Sequence, residues 1–253
     1  MRQENSEYLT GVSEDEFLDS VILRKEHNPK KDYLIKECLA ALYEKYPAIR
    51  HFHNHSDKSD EKSNYPLVHY RAQAGHPHVV AFNDAIPIMK EWLLSNQRRD
   101  GFNLPYLINQ PTSKTSHLKS TEHHVYYRLM DWMALNGDNY KLWRSTPLMR
   151  DRIVILEQAL TGHIRRLITE LHKGELNAHA EIVSITKMKD VKAYHHKDLA
   201  FNIIYRCKVE IPTDLAMGKA VSIGFGTQNK TRWQGEGTDI IPQLERELST
   251  IES

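Results

Sequence analysis

Apolar positions along the chain fall into two periods. Between Leu148 and Lys173, Ile153, Leu156, Leu160, Ile164, Leu167, Ile168 and Leu171 recur every three or four residues, which predicts a long amphipathic helix with Gly162 as a tolerated weak point. A shorter helix is predicted over about 33–46. Asp32 caps it, Ile35, Leu39, Leu42 and Tyr46 form its apolar stripe, and Pro47 ends it. Ile88, Trp92 and Leu93 place another helix over about 84–97, and an amphipathic tail runs from Ile240 to Ile251. Between the helices lie β-branched and aromatic runs that read as strands: 17–25, 65–73, 76–83, 104–109, 180–188 and 200–212. Gly75 separates two of them at hairpin distance. Residues 125–135 (VYYRLMDWMAL) fit either period, and the pattern does not choose.

Strand, helix, strand, strand, helix, with another strand following, is the ferredoxin-like order. The expected class is therefore α+β, with two similar ferredoxin-like halves that each pair a small antiparallel sheet with helices. Residues 1–16 are acidic and polar and are expected to form an arm or short helix. The N-terminal half is placed at 17–110 and the C-terminal half at 111–253.

Composition changes this picture little. At 253 residues, 40% hydrophobic and 26% charged, the chain can bury a core without staples. Cys38 and Cys207 sit apart in apolar-periodic stretches, which fits a reducing cytoplasm and argues against a zinc finger. There is neither an 18-residue apolar run nor a signal-like start, so a soluble, cytoplasmic protein with no membrane partner is expected. The net charge is only +1, but it is unevenly spread. Residues 1–30 hold seven acids against four Lys/Arg, whereas 183–232 hold nine Lys/Arg against four acids. A basic segment is a modest signal for nucleic acid and equally the mark of a solvated face.

Inside that basic segment lies AMGKAVSIGFGTQ (216–228), with Gly218, Gly224 and Gly226 among the 11 glycines of the chain. Backbone N–H groups of such a loop can cradle phosphate. Neither nucleotide motif is satisfied. Ala220 stands where a Walker loop needs Ser or Thr, and Asn229 where a dinucleotide fingerprint needs glycine. A glycine-rich bend between strands remains the plain alternative.

The 15 histidines cluster. In Arg50-His51-Phe52-His53-Asn54-His55 the three imidazoles alternate, so an extended segment puts them on one face. Two could act as base and acid at one phosphodiester. The same set could bind zinc, or form a solvated turn, and spacing alone leaves all three open. The pairs His123-His124 and His195-His196 read as surface positions or RNA contacts.

Four stretches together resemble a known family. They are FHNH (52–55) with YPLVHYR (65–71) and HVVAFNDAIPIMKEW (78–92), then WMALNGDNYKLW (132–143), RIVILEQALTGHIRRL (152–167) and IPTDLAMGKAVSIGFGT (211–227). They resemble, in order and at sensible spacing over roughly 30–230, the CRISPR-associated repeat-processing endoribonucleases of the RAMP superfamily. The resemblance implies a tandem ferredoxin-like fold and cofactor-free, metal-independent cleavage of CRISPR precursor RNA. The cut would leave a 2′,3′-cyclic phosphate and a 5′-hydroxyl. Its partners would be repeat RNA and the other Cas subunits of an interference complex, with a homodimer left open. His53 and His55 would be general base and acid in unassigned order, and Tyr65 would orient phosphate or ribose. Lys219, Ser222 and the backbone of Gly224 and Gly226 would hold RNA phosphates. Arg165, Arg166, Lys187, Lys189 and Lys192 are added from charge alone. An RNA-binding subunit without catalysis and a histidine-rich metal protein are the alternatives. Departures from the family pattern include His163 and Arg165-Arg166 in place of Asn and Leu-Ser, and Ala220 in place of a serine.

Overall fold

The computed structural model describes residues 6–10, 65–73, 76–82, 85–87, 112–116, 118–172, 176–193, 196–213, 215–233 and 239–252. The strand expected at 17–25, the helix at 33–46, the histidine run 51–55 and the strand at 104–109 lie outside these residues, as does most of the helix expected at 84–97. The chain divides into two units, Met1–Ser116 with Ser222–Gly224, and His117–Val221 with Phe225–Ser253.

Among the described residues the first unit contains two antiparallel pairs. Strand β1 (Ser6–Thr10), within the stretch expected to be an arm, pairs with Thr112–Ser116 (β4 in chain order). Strands β2 (Val68–Gln73) and β3 (His76–Ala81) form the hairpin expected across Gly75, in register Val68↔Ala81 to Gln73↔His76. Behind this hairpin Tyr65, Val68, Val80, Ala81, Phe82, Ala85 and Ile86 are buried. Buried His69 stands edge-on between Tyr65 (5.2 Å) and Phe82 (4.9 Å) and donates from Nε2 to the Pro66 carbonyl at 3.0 Å.

The second unit is built on four antiparallel strands: β5 (Lys119–Trp132), β6 (Ala180–Ala193), β7 (His196–Glu210) and β8 (Thr227–Thr231). Their spatial order is β6-β7-β5-β8. Read from the other edge this is fourth, first, third, second, which is the order of a ferredoxin-like sheet. Helix α1 (Gly137–Ser145) and helix α2 (Met149–His172) supply the first crossover. Among its described residues the second crossover carries no α-helix. It is the glycine-rich stretch, and helix α3 (Ile240–Glu252) comes after β8 instead, packing against β6 and α2. All seven apolar positions that predicted α2 are buried, each contributing about 1.5–3 kcal/mol relative to exposure. Helix α1 went unpredicted, although Asn136 is a plain N-cap whose side chain accepts from the Asn139 N–H at 2.8 Å.

Strand β6 is an edge strand, and its outward N–H groups are taken by side chains from the helices. Thr161 Oγ1 accepts from Ala180 (3.3 Å), Glu157 Oε1 from Ile182 (2.9 Å), Gln243 Oε1 from Ile185 (2.8 Å) and Glu247 Oε2 from Met188 (2.9 Å). The spacing widens from two residues to three because register shifts fall after Ile182 and after Ile185. The edge is thereby closed to further strand pairing. Glu157 carries a raised pKa, first from burial, and is held ionisable by the Ile182 N–H.

Candidate nucleic-acid interface

The second sheet has two unlike faces. Trp132 and Phe201 are cross-strand partners and point at the helices, because Trp143 of α1 lies edge-on to Phe201 at 5.8 Å and His163 of α2 edge-on to Trp132 at 5.9 Å. Side chains alternate along a strand, so the neighbouring pairs face the other way. Those pairs are Lys189↔Ala200, Lys187↔Asn202 and Val191↔Asp198. Lys187 and Lys189 therefore share the face opposite the helices. Lys187 is exposed, and Lys189 pairs with Asp131 at 2.7 Å.

Asp131 is set by the β5 bulge between Leu129 and Trp132. Its φ is 50°, a left-handed conformation that Asp tolerates better than most residues. Two backbone contacts fix it. Its N–H donates to Asn202 Oδ1 at 2.7 Å, and its carbonyl accepts from the Gly226 N–H at 3.2 Å.

That second contact joins the bulge to the glycine stretch. The stretch runs from Leu215 through a short 3-10 turn, Val221–Ile223, into β8. Gly218 (φ 103°) and Gly226 (φ 67°) are required here. A Cβ on Gly218 would lie 2.8 Å from both the Met133 carbonyl and Trp132 Cδ1, and one on Gly226 would lie 1.8 Å from the Met217 carbonyl oxygen. The loop then closes on the protein itself. Lys219 N–H donates to Met133 (3.0 Å), Met217 N–H to Gly226 (2.8 Å) and Phe225 N–H to Ala220 (3.4 Å). Lys219 Nζ reaches Asp198 on β7 at 2.7 Å, which brings this lysine to the face that carries Lys187 and Lys189.

The remaining expected residues scatter. Ser222 and Gly224 (φ 95°) are partly buried in the turn. Lys192 stands opposite Lys197 near the tip of the β6–β7 hairpin. Arg165 is exposed and Arg166 half-buried on α2, which covers the opposite face of the sheet. Tyr65, at 7% exposure, is a core residue of the first unit. His53 and His55 lie outside the described residues. His123 and His124 are both exposed in an irregular stretch of β5 between Ser120 and Val125.

His163 has a structural partner that its place in the sequence does not reveal. His163 accepts the Trp132 indole N–H at Nδ1, 3.2 Å away, so it is the neutral Nε2–H tautomer. Burial, aided by the Arg166 charge, pushes its pKa down to about 4. Trp132 is in turn the floor under Gly218, so one indole links α2 to the glycine loop. The sequence signal was the substitution at this position; its partner lies 31 residues away and is not visible in the pattern.

A ferredoxin-like sheet with clustered lysines on the face away from its helices, and a glycine loop in place of the second crossover helix, defines an α+β fold of the RAMP kind. Family models agree over most of the chain. The Cas6b N-terminal domain matches residues 20–106 and the Cas6b C-terminal domain residues 119–231. The chain belongs to the Cas6 family, by the match to both Cas6b domains. Among solved structures, a crystal structure of Cas6b is similar at TM-score 0.68 and 19% identity, and one of the CRISPR RNA processing endoribonuclease Cas6b at TM-score 0.61 and 19% identity. Each alignment covers 90% of this chain and 100% of the other. The type IV CRISPR-Cas Cas6 crRNA endonuclease Csf5 is similar at TM-score 0.51 and 10% identity, over 90% of this chain and 100% of that one. No curated protein sequence matches. No described helix is long and apolar enough to cross a membrane.

Proposed function

We propose that the protein is an endoribonuclease that cuts CRISPR precursor RNA within each repeat without a metal ion or cofactor. The observation that carries this reading is the match to both Cas6b domains, the first of which spans the FHNH segment. One of His53 and His55 takes the proton from the ribose 2′-OH at the scissile nucleotide. The 2′-oxygen attacks the adjacent phosphorus, and the P–O5′ bond breaks. The other histidine gives its proton to the departing 5′-oxygen. The products are a 2′,3′-cyclic phosphate and a 5′-hydroxyl end. Tyr65, packed edge-on against His69 in the first unit, orients the phosphate or ribose at the cut.

Lys187, Lys189 and Lys219 supply the cationic face that meets the RNA backbone. Ser222, Gly224 and Gly226 shape the loop that presents Lys219, and Arg165, Arg166 and Lys192 contact RNA only along a path reaching the helix side or the hairpin tip. The processed RNA is kept by, or passed to, other subunits of a CRISPR effector complex.

The test is cleavage of repeat RNA in EDTA. Activity should persist, should fall as pH drops and the base protonates, and should vanish with a 2′-deoxy nucleotide at the cut. His53→Ala and His55→Ala should each abolish cutting and leave binding. Loss of activity in EDTA defeats the metal-free mechanism. Unchanged cutting by both variants defeats the histidine assignment. RNA binding without any cleavage makes the protein a binding subunit.

A further inference from the structure

The lysine face is not a free cationic patch. Lys189 Nζ lies 2.7 Å from Asp131 Oδ1 and Lys219 Nζ 2.7 Å from Asp198 Oδ1. Both aspartates are held by the sheet. Asp131 is pinned at the bulge by Asn202 and Gly226, and Asp198 by its strand pairing opposite Val191. The backbones that carry the two carboxylates therefore stay in place when a phosphate approaches, and only their short side chains can turn. Each lysine still has two N–H donors to offer, but a phosphate that takes them is brought close to a negative charge. The side chains are a quarter to two-fifths exposed, so each pair is weak enough to open and strong enough to compete.

We propose that Asp131 and Asp198 are discrimination residues for RNA. They are counter-charges on anchored backbone that bring the lysine face towards neutrality, so that phosphates alone bind poorly and tight binding requires base or shape contacts elsewhere. This rests on the reading above that the face meets RNA. Lys187, exposed on the same face, is the lysine left to attract the backbone from a distance.

The experiment compares Asp131→Asn and Asp198→Asn with the parent. Asn fits both sites and tolerates the left-handed φ at residue 131. Asp190→Asn makes the same charge change on β6, at an exposed position pointing to the opposite face, and serves as control. Binding of a fluorescent oligouridylate is followed by anisotropy across a salt series, and retention on heparin is measured in parallel. Each of the two variants should bind oligouridylate about two- to fivefold tighter. The salt dependence should steepen by up to about 0.7 in slope for each lysine freed. Both should elute later from heparin, and Asp190→Asn should behave as the parent. If Asp131→Asn and Asp198→Asn bind no tighter than Asp190→Asn, the proposal is wrong. Unchanged heparin elution with normal RNA binding by the parent overturns the counter-charge step alone. Later elution without any gain toward oligouridylate overturns RNA as the polyanion this face meets, and the proposal with it.

Discussion

Replacing His163 by Asn tests the link between helix α2, Trp132 and the glycine loop. In the native fold the imidazole must be neutral to accept the Trp132 N–H at 3.2 Å, and burial pushes its pKa down to about 4 from the usual 6.5. Between those values the unfolded chain holds the proton and the folded one does not, so stability rises with pH across that window. Its contribution is complete above pH 6.5 and is lost as pH falls through 4. The whole shift corresponds to about 3 kcal/mol, of which about 2.5 kcal/mol is already gone at pH 4.5. Asn can accept the same N–H and does not titrate near neutrality. It should cost about 1 kcal/mol at pH 7.5, through the lost edge-on ring packing, and nothing further on acidification. Urea unfolding of parent and His163→Asn, followed by tryptophan fluorescence at both pH values, isolates the term because all other groups cancel in the difference. The variant should be the less stable protein at pH 7.5 and the more stable one at pH 4.5, a change of about 2.5 kcal/mol in the difference. A difference that stays constant with pH refutes the neutral, hydrogen-bonded imidazole.

Two glycines should respond with opposite signs in thermal unfolding. Gly226→Ala forces a Cβ onto the Met217 carbonyl at φ 67° and should cost at least about 2 kcal/mol, whereas Gly162→Ala meets nothing within 4 Å in a helix and should add about 0.5–1 kcal/mol. Gln243→Leu strips the acceptor from the Ile185 N–H and the Ser184 hydroxyl. It should cost about 1–3 kcal/mol and speed hydrogen exchange at the Ile185 amide in particular; unchanged exchange there removes the edge-closing role of α3. Burial pushes the Cys207 thiol up to about 11, so in a Cys38→Ser background a disulfide reagent at pH 8 should find no reactive thiol until urea unfolds the protein.

The parts of this fold that could be read in the sequence are those where one side of an element is buried and the period survives. Helix α2 shows this with all seven apolar positions inside; the β2–β3 hairpin was legible instead from the glycine between two strand-like runs. Strand β5 could not be told from a helix because register shifts after Ser120 and after Leu129 break the two-residue alternation. Helix α1 was hidden for another reason. It buries only Trp143 and leaves Tyr140 and Leu142 exposed, so it carries no stripe, and its signal was the Asn136 cap alone. In the candidate interface, residue types were legible but partners were not. Lys189 and Asp131 are 58 residues apart, and the register that joins them comes from a bulge.

The glycine stretch shows how this changes a functional argument. From sequence, Gly218, Gly224 and Gly226 suggested bare N–H groups waiting for phosphate. In the fold, the N–H groups of Met217, Lys219, Phe225 and Gly226 are already given to carbonyls of the chain, and the two tight glycines exist so that the loop can lie against Met133, Trp132 and Met217. An N–H held at 3 Å by a carbonyl gains little by exchanging it for a phosphate oxygen, because folding has already replaced its water. What this loop can offer RNA is therefore a side chain, the Lys219 ammonium. The glycines act at one remove, by letting the backbone turn tightly enough for that ammonium to reach the face where Lys187 and Lys189 stand. A substitution at Gly226 should then weaken RNA binding only as far as it displaces Lys219, and Lys219→Ala should reproduce that loss with the loop intact.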